Sequence, residues 1–228
     1  MKKIFKETLK EQLLRIAILL GGLVIAHLGV TLFLLSDLGA DPFNVLIQGL
    51  FRKLQVPIKS NLLTHGNVHR CVCLLIIMVL LFVDKSYVKV GTLLCMFCGG
   101  PIIDFFTGLL EPVFSALPSL AFKLPMLALG CVILAFGMTL VIKSEAGTGP
   151  NDLVAVVIAD KLKKKFSIIR VLVDIAFVAI GFALGGVINV GTVICAFIVG
   201  PVAGVFLPYS SKIVDKTIKA FMQRGAVQ

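Results

Sequence analysis

The sequence predicts an all-α fold: a polytopic transmembrane helix bundle of two homologous repeats, each with three long helices and one short helix that is broken or re-entrant. Three observations support this prediction, namely a mean hydropathy of +1.05 with 15% charged residues, six apolar runs of bilayer length, and two blocks of internal similarity. A water-soluble chain of 228 residues could not bury so much apolar surface in one core, so the expected solvent is lipid.

Each apolar run is close to the roughly 20 residues that a helix needs to cross a bilayer. The first run, at 16–35, contains one strongly polar side chain, His27. It is too long for a secretory signal and no small-residue cleavage pattern follows it, so we expect a retained first helix. The other runs lie at 62–83, 88–110, 124–142, 171–188 and 190–207.

Two blocks of the chain are similar to two later blocks, in the same order. At an offset of 108, residues 20–44 align with 128–152, and at an offset of 100, VGTLLCMFCGGP aligns with VGTVICAFIVGP. Two ordered matches with the same helix pattern indicate a duplication. The predicted organisation is an N-terminal cytoplasmic segment (1–15), repeat 1 (16–110), a linker (111–123), repeat 2 (124–209) and a basic cytoplasmic tail (210–228).

Each predicted repeat contains a polar, glycine-rich turn that ends in a helix-start signal. Asp41 before Pro42 is an N-cap with a first-turn proline, and Gly149 before Pro150 is the same arrangement with a weaker cap. The helices that follow have about 12 residues, or about 18 Å, which is too short to cross a bilayer. Each therefore either completes a broken crossing or re-enters.

Positive charge distinguishes these two arrangements, because cytoplasmic helix ends collect Lys and Arg. If the short helices complete a crossing, the repeats are parallel and 19 basic residues lie inside against 3 outside. If they re-enter, the repeats are inverted and the count is 17 against 5. The count favours the parallel arrangement. Both arrangements place the N- and C-termini in the cytoplasm of a bacterium, with a multi-pass protein in its inner membrane.

The candidate substrate-binding residues cluster around the two turns. One interpretation brings the turns together across a pseudo-symmetry axis, so that helix N-termini and carboxylates line one cavity. The other interpretation is that the polar residues of the turns are helix caps in solvated loops. The carboxylate of Asp104, within the run at 88–110, is included because an ionised group facing lipid costs about 2.5–3.5 kcal/mol. The candidates are Asp37, Gly39, Asp41, Asn44, Asn67, Asp104, Glu145, Gly147, Asn151 and Asp152.

Other polar residues receive structural interpretations. Arg170 and Asp174 are spaced i, i+4, which predicts an ion pair along one helix, with Arg170 at the interface. The six cysteines lie in apolar runs and are expected to be core residues. Cys95 and Cys98 form a CxxC without further ligands nearby, so neither a metal nor a cofactor is expected.

The turn sequences SDLGADPFNVL and SEAGTGPNDLV, with VGTxxCxFxxGP near the end of each half, resemble the YczE-like branch of the YczE/YyaS/YitT family of bacterial membrane proteins. The resemblance extends over about residues 15–207. It implies an integral membrane protein of small-transporter size and no particular substrate. The first turn departs from the commoner glycine-rich form because Asp41 stands where the second turn has Gly149.

We expect a small secondary transporter or exporter with its site between the repeats. Four acids near the turns disfavour an anionic substrate, so a cation, an amine or proton coupling is the expected chemistry. The alternative is a non-transporting accessory protein that scaffolds a biosynthetic or signalling partner through its basic tail. No catalytic motif predicts an enzyme, although an intramembrane lipid enzyme using Asp104 and the loop acids is a third possibility. The expected partners are the lipid bilayer and a small molecule, and not nucleic acid.

Overall fold

The computed structural model describes residues 2–55, 65–116 and 119–226, and this part of the chain is helical throughout apart from its connections. Eight α-helices are present there, with one 3₁₀ turn, Lys85–Tyr87, between the third and fourth. The helices are α1 (Lys2–Leu35), α2 (Pro42–Gln55), α3 (His65–Val83), α4 (Val90–Ala116), α5 (Leu120–Lys143), α6 (Pro150–Leu162), α7 (Phe166–Ala183) and α8 (Val190–Ala226).

Within the described residues, five helices are long and apolar enough to cross a membrane by length and composition: α1, α4, α5, α7 and α8. The apolar part of α3, Asn67–Val83, is shorter. Large apolar side chains face outward, among them Phe82 at 92% exposure and Phe97 at 67%. This surface suits a hydrocarbon solvent, and the predicted all-helical membrane fold is confirmed.

The short helices α2 and α6 begin at Pro42 and Pro150, as their start signals predict. Three helices are longer than expected. α1 begins at Lys2, so helix also occupies the segment expected as a separate N-terminal one. α4 continues through Pro112 to Ala116, so helix occupies much of the segment expected as a linker. α8 continues through Pro208, so most of the expected tail is a helical extension. A proline removes one backbone hydrogen bond, and in both helices the chain remains helical on either side of it.

α1 and α5 pack against each other and run antiparallel. Gly22 approaches Leu140, whereas Gly29, seven residues later, approaches Gly130 and Leu134. A Cβ added to Gly29 would lie 2.3 Å from the backbone nitrogen of Leu134, so the glycines permit this close approach. The parallel arrangement favoured by the charge count is therefore wrong. The two arrangements differed by only two basic residues on each side, which is a small preference beside an extensive helix contact.

The two halves of the chain make equivalent bonds to each other. At the start of α4, the backbone nitrogen of Gly91 donates to the carbonyl of Ala146, at 2.9 Å. At the start of α8, Gly191 donates in the same way to Leu38, at 2.8 Å. Each turn thus bonds to the last helix of the other half.

These contacts define the two ends of the bundle. The end that we call the terminal face contains Arg15, the loop 84–89 and the turn 144–149, because Arg15 Nη1 donates to the carbonyl of Ser144 at 3.1 Å. The end that we call the opposite face contains the turn 36–41, the loop 184–189 and the start of α5. Since α8 starts at the opposite face, both chain ends lie toward the terminal face.

Candidate functional site

The segment that precedes α6 enters the bundle from the terminal face. After Ala146, the nitrogen of Thr148 approaches the hydroxyl of Thr92 at 3.5 Å, and Gly149 lies beside Cys95. Cys95 is five residues into α4, so α6 begins about 8 Å inside the helix end at ~1.5 Å per residue. α6 then returns to the same face, where Lys161 pairs with Asp84 at 3.0 Å. The segment is therefore re-entrant.

The segment that precedes α2 enters in the same way from the opposite face. The hydroxyl of Thr192 donates to the carbonyl of Ala40 at 2.6 Å, and the ring of Phe43 packs against Phe177, six residues before the end of α7. α2 then returns to its own face, where Arg52 donates to the carbonyl of Gly185 at 2.7 Å. The first turns of α2 and α6 thus point into the bundle from opposite ends.

Arg170 joins α6 to α7 inside the bundle. Its Nη1 donates to Asp152 Oδ1 at 2.5 Å, and its Nε donates to Asp174 Oδ2 at 2.9 Å. The side chains of Arg170 and Asp174 are 8% and 0% exposed, and that of Asp152 is 20% exposed. One guanidinium therefore holds two carboxylates in a site that is almost closed to solvent, which strengthens these hydrogen bonds.

Asp174 has a second oxygen that the guanidinium does not reach. Its Oδ1 is buried and has no hydrogen-bond partner among the described residues. Asp41, the residue before α2, lies near enough for its charge to act on Asp174. A buried carboxylate oxygen without a donor is costly, so this atom is a place for a proton or a donor group to bind.

The cap of α2 forms as the sequence predicts. Asp41 Oδ1 accepts hydrogen bonds from the backbone nitrogens of Phe43, at 3.1 Å, and Asn44, at 3.2 Å. The side chain of Asn44 donates back to Asp41 Oδ2 at 2.5 Å. At α6 the cap residue is Gly149, which offers no side chain, and Asn151 instead donates to Asp152 at 3.0 Å.

The two turns themselves do not meet. Asp37 and Gly39 lie at the opposite face, whereas Glu145 and Gly147 lie at the terminal face, so the interpretation that places all of them around one cavity is wrong. The antiparallel packing of α1 and α5 separates them. Asp37 and Glu145 are exposed and have the same left-handed backbone, with φ of 55° and 57°. Glu145 pairs with Arg15 at 3.0 Å.

Two other candidates also lie apart from Arg170. Asp104 is exposed on α4, so the expectation that it faces the bundle interior or a cavity is not met in the isolated chain. Asn67 accepts a hydrogen bond from Arg70 at 2.8 Å near the start of α3. Of the candidates, Asp152 at the start of α6 is shown in direct contact with Arg170.

The i, i+4 spacing of Arg170 and Asp174 predicts a structural ion pair along one helix, with Arg170 at the membrane interface. The predicted i, i+4 pair is present, but Arg170 is buried and its second partner, Asp152, is 18 residues away. The sequence contains a signal for a functional role of this pair, because Asp174 is an ionisable residue inside the apolar run 171–188. An ionisable residue within a membrane span is by default a functional candidate.

The loop 84–89 at the terminal face contains two groups with shifted titration. The hydroxyl of Ser86 and the ammonium of Lys161 lower the pKa of Asp84 to about 2, because both donate to the carboxylate. The hydroxyl of Tyr87 donates to Asp160, which raises the pKa of Tyr87 to about 12. Both bonds fix the end of α6 against this loop. Among the described residues, no three His, Cys, Asp or Glu side chains are grouped so that they could hold a metal ion.

Comparison with known proteins identifies relatives along nearly the whole chain. A family model described as a family of unknown function, DUF6198, matches residues 13–208. An uncharacterized protein of Haemophilus influenzae is 30% identical over 192 residues, which is 84% of this chain and 83% of the relative. No solved structure matches the chain.

Two Bacillus subtilis proteins are also similar. The uncharacterized membrane protein YczE is 25% identical over 210 residues, 92% of this chain and 93% of its own. The uncharacterized protein YyaS is 28% identical over 204 residues, 90% of this chain and 96% of its own. The resemblance stated from the turn sequences is confirmed.

Proposed function

This chain belongs to the DUF6198 family of integral membrane proteins, and we propose that it is a small secondary transporter whose two halves are inverted repeats. The duplication is supported by the two sequence offsets together with the matched bonds of Gly91 and Gly191. The inversion is supported by the antiparallel packing of α1 and α5. Transporters with inverted repeats bind substrate where discontinuous helices from the two halves approach each other.

The observation that supports transport most directly is the buried Arg170 between Asp152 and Asp174, at the point where α6 begins. Ionisable groups in the membrane interior are expensive to bury and commonly belong to substrate or ion pathways. The proposed site consists of Asp152, Arg170 and Asp174, and Asp41, the N-cap of α2, lies near enough for its charge to act on Asp174. Loop caps in bulk water would not explain a guanidinium that is closed off from solvent.

The charges of this cluster favour a cationic or proton-coupled substrate. When ionised, its three carboxylates exceed the one guanidinium by two negative charges, so a cation entering the site is attracted. We assign the coupling proton to Asp174, because its Oδ1 has no donor among the described residues. Protonation there would weaken the bond from Arg170 and leave the guanidinium to Asp152. Such an exchange gives the site two electrostatic states.

The test is transport by the purified protein in liposomes. Cationic metabolites are screened for uptake driven by an imposed pH gradient, with wild type, Asp152→Asn and Asp174→Asn compared. We expect both variants to lose gradient-driven uptake. The matched control is Asp104→Asn, which makes the same chemical change on an exposed face of α4 and should retain uptake. If no cation moves, or if the site variants transport like wild type, the proposal is wrong.

A non-transporting accessory role is the second candidate, and one observation favours it. α8 continues as a helix to Ala226, so the basic stretch after Ser211 is an ordered extension that could bind a partner. Deleting the chain after Asp215, which keeps the buried Ser210 and Val214, separates the two functions. An accessory protein would lose its cellular phenotype and show no transport in either form, whereas a transporter that folds would keep transport in liposomes.

We further propose that the terminal face is cytoplasmic in the bacterial inner membrane. The support is the location of basic residues, because the N-terminal segment, the stretch around Lys161–Lys165 and the α8 extension all lie toward this face. Cytoplasmic ends of membrane helices collect such residues.

A further inference from the structure

An apolar groove lies between α3 and α6, which also pack on each other through Leu80, Leu153 and Val157. Its volume is about 510 Å³, and its walls are apolar side chains between Leu75 and Val83 on α3 and between Val154 and Leu162 on α6. Lys161 is the charged residue among the lining residues. Several of the wall residues are strongly exposed, including Val79 at 52% and Val83 at 54%, so the groove is open to the surroundings of the bundle.

The corresponding contact in the other half of the chain is closed. There α2 packs directly on α7, and a Cβ added to Gly49 would lie 2.2 Å from the carbonyl oxygen of Gly181. By the two sequence offsets, Val157 and Leu81 occupy these positions in the α6 and α3 pair. The larger side chains are consistent with wider spacing of the helices. The described part of the α2 and α7 contact leaves no such space at Gly49 and Gly181, and the groove between α3 and α6 lies toward the terminal face.

The mouth of the groove is surrounded by positive charge. Lys161 lies at the mouth, Lys85 is exposed beside it, and the exposed stretch Lys163–Lys165 follows α6 directly. Two acids lie nearby, Asp84, which pairs with Lys161, and Asp160, which accepts from Tyr87, so the five lysines exceed the acids by three positive charges. The mouth is therefore suited to an anion and the groove to a hydrocarbon chain.

We propose that this groove binds an anionic phospholipid of the adjacent leaflet, with one acyl chain between α3 and α6 and the phosphate at Lys161 and Lys163–Lys165. The volume is within the range of sites for small molecules, and basic pockets between membrane helices are typical sites for anionic headgroups. The lysine stems can lie along the lipid while their ammonium groups reach the phosphate. This site is independent of the transport site at Arg170.

The headgroup is tested by native mass spectrometry of the full chain in detergent. Phosphatidylglycerol and phosphatidylcholine with identical acyl chains compete for the protein. We expect wild type to prefer phosphatidylglycerol, and the triple variant Lys163→Gln, Lys164→Gln, Lys165→Gln to lose roughly tenfold to hundredfold of that preference. The control variant Lys212→Gln, Lys216→Gln, Lys219→Gln removes the same charge from the α8 extension and should keep the preference.

The groove itself is tested by filling it. Val79→Phe places a ring in the open space and should weaken phosphatidylglycerol binding, whereas Leu129→Phe, on an exposed position of α5, should not. Equal binding of the two lipids by wild type would overturn the proposal in favour of an ordinary lipid annulus. Full competition by glycerol phosphate, which has no acyl chain, would also overturn it, because charge alone would then explain the binding.

Discussion

Arg170 holds two carboxylates inside the helix bundle, one on its own helix and one at the start of α6. The guanidinium suits this position because its planar group donates in several directions at once. Removing one partner of a buried ion pair costs about 3–5 kcal/mol, because the remaining charge stays buried without compensation. Here the removal of Arg170 would leave two carboxylates together, Asp152 and Asp174.

At the residue scale, we therefore predict that Arg170→Met lowers the free energy of unfolding by about 3–5 kcal/mol. The matched control is Arg52→Met, since Arg52 is an exposed arginine that donates to one carbonyl, and it should cost about 1 kcal/mol or less. Both are measured by denaturant-induced unfolding in detergent. Equal losses in the two variants would show that the buried triad does not contribute more than a surface contact.

A second comparison at this scale uses Arg170→Lys. Lysine keeps the charge but loses the planar fork, so it can be expected to satisfy one carboxylate better than two. We expect a stability between those of wild type and Arg170→Met in the same unfolding experiment. A variant as stable as wild type would mean that the geometry of the fork is unimportant.

At the scale of the elements, the contact between α1 and α5 depends on glycines at the crossing. Gly22 and Gly29 face Gly130 and Gly137, and each helix approaches the backbone of the other. Without a hydrophobic driving force between helices in lipid, close packing through small residues is a main source of their association. The same physical reason applies to Gly49 and Gly181 between α2 and α7.

This packing predicts a sharp difference between two glycines of the same helix. In Gly29→Ala, the new methyl would collide with the backbone of Leu134, and we expect a loss of about 1–3 kcal/mol. In Gly21→Ala, the methyl meets nothing within 4 Å, so helix propensity alone should make the change neutral or stabilising by up to about 1 kcal/mol. Thermal unfolding of the two variants in detergent measures the difference, and similar melting temperatures would contradict the close contact.

At the scale of the whole molecule, the antiparallel pair α1 and α5 determines which loops share a face. Ala116 and Leu120 lie with the turn 36–41 and the loop 184–189, whereas Asp84 and Lys161 lie with the chain ends. The short helices α2 and α6 each return to the face from which they entered. The lysines that follow α6 therefore lie on the same side as the N-terminus.

This topology predicts how engineered cysteines react with a membrane-impermeant maleimide in intact cells. Leu120→Cys and Lys53→Cys should label from outside, because both are exposed at the opposite face. Lys163→Cys should label only after lysis if the terminal face is cytoplasmic. Wild type is the control for the native cysteines of the apolar helices. Labelling of all three variants from the same side would contradict the inverted arrangement.

The sequence by itself determined the membrane class, the all-helical fold and the points where the short helices begin. Composition and the length of apolar runs report on the solvent, and the Asp41 cap with Pro42 acts within one helical turn. These are local signals, so their outcome depends little on the rest of the molecule. The start of α6 at Pro150 was predicted for the same reason.

Only the tertiary structure decided how the two halves face each other and which charged groups meet. The basic-residue count differs too little between the two predicted arrangements to choose, whereas the backbone contacts of glycines show that α1 and α5 run antiparallel. Arg170 meets Asp152 because α6 re-enters beside α7, a contact that the i, i+4 spacing to Asp174 does not encode. Contacts between helices depend on shape along their whole length, and that information is not present in any single turn of the chain.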